Sequence, residues 1–427
     1  MQAGLISNEA NLSMIPSSSV SLPNGEEKGL YYGINVRGNS FLILRARLGG
    51  KNEPTSQLHR EEIQIDPNIQ DFKGLFDLIA RELSKFISEY GESNGNEKAR
   101  KKSNLGFTIS PPVDDHTAGA PSCNAMDWNQ FTEGHTAKTE LTNEINQALE
   151  KHGVEMQVVS MVDDVVGDLA GGRYYSRESV VAVSLGMTTS VAYTESAKEV
   201  QKLQSPLPKS GEMVMNMQWG KFISPHLPIT EFDASLNSES ENPGKRIFEK
   251  LISGMYLGEV VRKVLVKMAQ ETALFGDKLP PKLLLPFSLR SPDMAAMHQD
   301  TTEDYEVVDE KLKDIFGIKN TTPMVREIVA EICDIVAERG ARLVGAGIVG
   351  ILKKLGRIAD KKSVITIEGG LYEHYRIFRN YLHSSVWEML GSDLSDNVII
   401  EHSHGGSGAG SIFLAASHSQ SQDSASL

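Results

Sequence analysis

Two stretches of this chain share one layout. "INVRGNSFLIL" at 34–44 and "VAVSLGMTTSVAY" at 181–193 each set an apolar strand, a turn of small residues around a glycine, and a second strand in direct succession. Apolar runs bounded by such turns read as hairpins. The two are separated by strand-helix material, so they read as a repeat, weak as letters and stronger as pattern. A chain built this way is constrained to a duplicated α/β domain, with room for a nucleotide between its halves.

The intervening periodicity supports that reading. Phe72, Leu75, Phe76, Ile79, Leu83 and Phe86 mark a helix over 71–90, and residues 105–109 read as a strand. A helix at 138–152 leads into the buried strand "MQVVSMV" at 156–162, which runs into Asp163 and Asp164. Helical periodicity returns at 245–274, 323–354 and 372–390. Near the end, "SVITIEGG" is a strand entering two glycines, and "HGGSGAGSIFLAA" is a glycine-rich turn opening a helix, an arrangement suited to anions. Residues 1–28 and 418–427, rich in small polar residues, are expected to be a flexible lead-in and a disordered tail.

Composition excludes several functions. The net charge of −13 and pI near 5.4 leave no general basic surface for nucleic acid or anionic membrane. Cys123 and Cys333 match no metal-ligand spacing and fit reduced thiols in a cytosol-like compartment. The longest apolar run, Leu343 to Leu352, is too short to span a bilayer, and the first 28 residues read as neither signal nor anchor. The expectation is a cytoplasmic protein without membrane insertion.

"LAGGRYY", "LPKSGEMVMNMQWG", "LPITEFD", "NPGKRIFEKLISGMYLGE", "GILKKLG" and "GGLYEHY" together resemble the hexokinases, closest to the plant hexokinases and hexokinase-like proteins. The resemblance implies a duplicated actin-like ATPase (ribonuclease H-like) fold, with small and large domains around a cleft. It places the small domain at 29–162, the large domain at 163–404, and a last helix at 405–417 returning to the small domain. It also implies phosphorylation of a hexose 6-hydroxyl by ATP with Mg²⁺. Asp164 matches the family's catalytic base, which orients the hydroxyl and accepts its proton. Read without the family, Asp164 equally well caps the helix that follows.

The nucleotide site departs from the family pattern. Its first phosphate turn, Asp-Leu-Gly-Gly-Thr-Asn, reads here Asn35, Val36, Arg37, Gly38, Asn39 and Ser40. A carboxylate facing the magnesium shell has become an amide, and the first glycine has become arginine. Arg37 either blocks the site, fills the place of phosphate and metal, or points to solvent. The second turn, Gly-Thr-Gly-Thr-Asn, reads Gly186, Met187, Thr188, Thr189 and Ser190. Gly254, Gly369, Gly370, Ser407 and Gly408 still permit backbone approach to the nucleotide, or serve as tight turns only.

The sugar cup departs as well. Asn129 and Gln130 stand for the family's Thr-Lys pair, Asp163 for the Asn before the base, Ser190 for an Asn, and Gln218 for a Glu; Ser110 and Glu249 match. Each lost hydrogen bond to a charged partner costs roughly 1.5–3 kcal/mol. Hexose and ATP are therefore expected as weak ligands, with ATP carrying Mg²⁺ where binding is retained and no metal held by the protein alone. The leading expectation is a hexokinase homologue with weak or absent catalysis and a regulatory or sugar-signalling role through protein partners. The alternatives are an active hexokinase of altered kinetics or substrate choice, and a scaffold binding neither ligand. Association with the mitochondrial surface follows from family likeness alone.

Overall fold

Two mixed sheets, one in each half, carry the structure. The computed structural model describes residues 1–7, 10–17, 21–53, 55–91, 103–110, 135–202, 208, 210–406 and 408–423. In the first half, β2 (Lys28–Arg37), β3 (Ser40–Gly49), β4 (Ser56–Gln64), β5 (Ser103–Ser110) and β6 (Met156–Asp163) form a sheet ordered β4-β3-β2-β5-β6. The β2–β3 hairpin is antiparallel, whereas β2, β5 and β6 run parallel. Apolar residues of this sheet, Ile34, Val36 and Phe107 among them, share a core with Phe76, Ile79 and Leu83 of α1 (Phe72–Tyr90) and Ile145 of α2 (His135–Lys151). The helical spacing in the sequence thus buries one face, as an amphipathic helix must.

The second sheet is ordered β1-β9-β8-β7-β10-β11. It contains β1 (Met14–Ser17), β7 (Ser179–Leu185), β8 (Thr189–Ser196), β9 (Glu212–Met217), β10 (Ser363–Glu368) and β11 (Val398–His402). The antiparallel β7–β8 pair repeats β2–β3, and β10 adds to β7 in parallel as β5 adds to β2. This is the duplicated α/β architecture. Between the sheets lies α3 (Asp164–Tyr175), whose Val165 and Leu169 share a core with Leu42 and Leu44 of the first half and Ala182 and Ala192 of the second.

Residues 1–28, expected as a flexible lead-in, depart from that reading. Met14 to Ser17 pair with Met217 to Val214, and Leu5 and Met14 are buried. The edge of β9 offers open backbone groups, and burial of Leu5 and Met14, with the Gln218 N–H donating to the Ser13 carbonyl at 3.0 Å, seats the segment. The last helix (Gly410–Asp423) returns to the first sheet and runs past the expected end at 417. Gly106 makes this possible: a Cβ there would stand 1.7 Å from the Ser411 carbonyl oxygen. Cys333 is buried inside the long helix Pro323–Lys354, and burial pushes its thiol up to about 12, which makes it unreactive. Among the described residues, no helix is long and apolar enough to cross a membrane. Cys123 lies outside them.

The periodicity at 245–274 predicts one helix, yet two form: α4 (Ile247–Ile252) and α5 (Leu257–Thr272). The break has a tertiary cause. Gly254 N–H donates to the Gly186 carbonyl at 2.9 Å and Met255 N–H to the Met187 carbonyl at 3.2 Å, so the amides of the break serve the β7–β8 turn. Likewise 372–390 divides into Gly370–Glu373 and Arg376–Leu390.

Candidate active site

Because β2, β5 and β6 run parallel, their last residues gather at one edge of the sheet, the edge at which open α/β sheets place their ligands. Register pairs Arg37 with Ser110, and Ile109 with Asp163. Asp163 is the N-cap residue of α3, without a side-chain capping bond, and Asp164 is the first helical residue. The Asp164 carboxylate accepts from the Ser110 hydroxyl and, at 2.8 Å, from the Val165 N–H. Burial pushes this carboxyl above the ordinary range; the Ser110 hydroxyl opposes, and the like charge of Asp163 adds to the rise. Asp164 is thus held by two donors at a strand-to-helix junction, with part of its surface open.

The first turn is tighter than its letters imply. Arg37 pairs with Ser40, so Arg37 still belongs to β2 and the turn consists of Gly38 and Asn39, with Gly38 at φ 45°. Residues two apart on a strand share a face. Arg37 therefore lies beside Asn35, and its Nε–H donates to Asn35 Oδ1 at 2.5 Å. Asn35 Nδ2 donates to Thr108 Oγ1 at 2.8 Å, across the β2–β5 pair. Asn35 is fully buried, and Gly408 packs against it, so that a Cβ there would stand 3.2 Å from Asn35 Oδ1. Arg37 is half-buried and tied to a fully buried amide, and its charge reaches Asp164 and Asp168, so it does not simply hang in solvent.

The second turn is open. Gly186 has only the Thr188 carbonyl oxygen, 3.9 Å from the place of a Cβ, and Met187 is 41% exposed. Behind it the backbone closes: a Cβ on Gly254 would stand 2.8 Å from the Gly186 carbonyl oxygen, and one on Gly369, at φ 113°, 2.4 Å from that of Leu185. Gly370 starts the helix after β10, and Thr188 lies in the turn itself.

The remaining candidates converge from three elements. Trp219 Nε1–H donates to Thr189 Oγ1 at 2.7 Å and its ring meets Phe248 edge-on at 5.6 Å, so the chain neighbours of Gln218, Ser190 and Glu249 are in contact. The side chain of Glu249 is 2% exposed and paired with Arg246. Lys221 lies within electrostatic reach of Arg246, Glu249 and Asp163; burial lowers its pKa first, and the Arg246 charge adds to it. Asn129, Gln130 and Ser407 lie outside the described residues.

Two residues escaped the sequence reading. Asp168, one turn beyond Asp164 on α3, is buried; its Oδ1 accepts from Ser403 Oγ at 3.0 Å, while its Oδ2 has no hydrogen-bond partner. Burial, Glu368 and Asp164 hold its carboxyl well above the ordinary range. The i, i+4 spacing from Asp164 was the available signal. Arg246, in left-handed backbone at φ 53°, carried none.

A magnesium ion does not fit the first turn as built. Both polar ends of the Asn35 amide are engaged within the protein, and a hard cation needs oxygen ligands that are free to turn toward it. Among the described residues no group of three His, Cys, Asp or Glu could hold a metal. Space beside the backbone is open at Gly186 and Gly370, although the Gly186 N–H already donates to the Thr188 carbonyl at 3.1 Å.

Comparison with known proteins covers nearly the whole chain. Family models described as hexokinase match residues 1–174 and 180–417. Hexokinase-1 of Spinacia oleracea is 47% identical over 98% of this chain and 86% of its own length, and Hexokinase-1 of Arabidopsis thaliana is 46% identical over the same shares. The solved structure of the hexokinase from Schistosoma mansoni complexed with glucose superposes with a TM-score of 0.77 at 26% identity, over 98% of this chain and 92% of that one. On this evidence, with its duplicated sheets and its carboxylate at the strand-to-helix junction, the chain belongs to the hexokinase family.

Proposed function

We propose that this protein keeps the hexokinase cleft for hexose and ATP, transfers phosphate weakly or not at all, and serves as a sugar-responsive regulatory protein through protein partners. The observation that carries the reading is the Arg37–Asn35–Thr108 chain: the first phosphate turn is closed by its own side chains. The Arg37 guanidinium lies within electrostatic reach of Asp164, and the oxygen of the neighbouring Asn35 amide already accepts from Arg37.

A second reading, slow hexose kinase activity, is favoured by Asp164 itself. Its carboxylate is oriented by Ser110 and by the Val165 N–H, and a base so held at a strand end can take the proton of an attacking hydroxyl. ATP would supply the transferred phosphoryl group; Asp164 would orient the hydroxyl and receive its proton. The raised pKa means that this base is ionised only toward higher pH, so residual transfer should climb as pH rises through the Asp164 titration.

The test is a phosphotransfer assay at high protein and sugar concentration, paired with calorimetric titration of glucose and of ATP with and without Mg²⁺. The expected kcat/KM lies several orders of magnitude below the usual enzyme range of roughly 10⁴–10⁸ M⁻¹s⁻¹. Turnover within that range overturns the impaired reading, and no binding of either ligand overturns both.

A further inference from the structure

Resting on the reading that Glu249 belongs to the sugar cup, we infer that Arg246 sets this protein's hexose affinity by covering Glu249. The carboxylate of Glu249 is buried, its side chain 2% exposed, whereas Arg246 is 40% exposed and stands on the solvent side of the pair. Arg246 engages both oxygens: Nη2–H donates to Oε1 at 2.9 Å and Nε–H to Oε2. This is the bidentate fork of guanidinium and carboxylate, among the stronger side-chain contacts. From behind, Gly220 closes the site, since a Cβ there would stand 3.2 Å from Oε2. A sugar hydroxyl can therefore donate to Glu249 only after Arg246 withdraws.

The backbone fits this role. Arg246 sits immediately before α4 at φ 53° and ψ 40°, a region that non-glycine residues enter at a cost. That conformation aims the side chain back along the first turn of α4, three residues to Glu249. Lys221, whose pKa is lowered by burial and further by the Arg246 charge, lies within electrostatic reach of the same carboxylate, so the groups beside Glu249 are donors rather than the free acceptor a donating hydroxyl requires.

The experiment titrates D-glucose into the full chain by calorimetry, without nucleotide, for the wild type, Arg246→Gln and Arg246→Gln/Glu249→Gln. Uncovering the carboxylate should tighten glucose binding by roughly tenfold or more, the factor carried by one charge-assisted hydrogen bond. The gain should vanish in the double variant. Where turnover is measurable, Arg246→Gln should lower KM and leave kcat nearly unchanged, which a purely structural role for Arg246 would not do. Removing a partner from a buried carboxylate can unfold a protein. Arg246→Gly, whose residue suits the left-handed backbone, is the second variant and should show the same gain.

Glucose affinity within twofold of wild type in a folded Arg246 variant, including no detectable binding in either, overturns the inference. So does a gain that survives in the double variant, because it would not pass through Glu249. Glucose binding that ignores Arg246 overturns this inference alone, whereas ordinary turnover by the wild type would overturn impaired catalysis whatever Arg246 does.

Discussion

The turns of the β2–β3 and β7–β8 hairpins hold equivalent places in the two halves of a duplicated fold, yet one is closed and the other open. In the first, Asn35 is fully buried and bonded to Thr108 and Arg37. In the second, Gly186 faces open space and Met187 is 41% exposed, while Gly254 and Gly369 tighten the backbone from behind. Backbone geometry has survived in both, because each hairpin is built into a sheet and cannot change without displacing its neighbours. The chemistry at the tips differs, because a side chain at a strand end can differ without disturbing the ladder.

The strongest way to break this contrast is to open the first turn. Asn35→Asp with Arg37→Gly should tighten Mg-ATP binding about a hundredfold, from charge-assisted contacts of about 1.5–3 kcal/mol each. Calorimetry with and without Mg²⁺ checks it. A repaired protein whose ATP affinity ignores magnesium would show that closure of this turn is not what excludes the metal.

Next comes the support of the second turn. Gly254→Ala should destabilise the protein by about 2 kcal/mol, since its Cβ would stand 2.8 Å from the Gly186 carbonyl oxygen. Gly186→Ala, whose Cβ meets only the Thr188 oxygen at 3.9 Å, should leave Tm nearly unchanged and weaken nucleotide binding instead. Equal Tm losses in the two variants would mean that the open turn is not open. A smaller effect, about 1 kcal/mol, is expected from Thr108→Val, which removes the acceptor of the Asn35 amide. Thermal unfolding measures it, and no change in Tm would mean that the bond does not hold the first turn closed.

The smallest effect concerns Asp168, between the two turns. Burial, Glu368 and Asp164 raise its folded pKa, while the Ser403 hydroxyl and the Arg37 charge oppose the rise. The folded state therefore keeps a proton that the unfolded state releases, and stability falls as pH rises above the ordinary carboxylate range. Asp168→Asn should raise Tm at neutral pH, with the gain disappearing in acid. A gain independent of pH would show that the carboxyl does not titrate with folding.

Much of this protein was legible in its letters where the signal is local. The spacing of Phe72, Leu75, Phe76, Ile79 and Leu83 predicts α1, and "MQVVSMV" predicts β6. The strand β4, "SQLHREEIQ", went unread, because it is mostly exposed and is held by edge pairing with β3 rather than by an apolar face. In the site, Asp164, Ser110 and Glu249 were named from the family resemblance, whereas Arg246 and Asp168 were not, since their meaning lies in what they touch.

The sequence by itself determined the family and the duplicated architecture, because periodicity and motif spacing are properties of the chain taken in order. What each altered residue does was decided only by tertiary structure. Whether Arg37 blocks or drifts depends on the parallel pairing of β2 with β5, which sets Asn35 against Thr108, 73 residues away. The break between α4 and α5 depends on carbonyls of the second turn, and the order of residues 14–17 on the free edge of β9. Hydrogen bonds between distant segments are fixed by register and strand order, which no local pattern encodes.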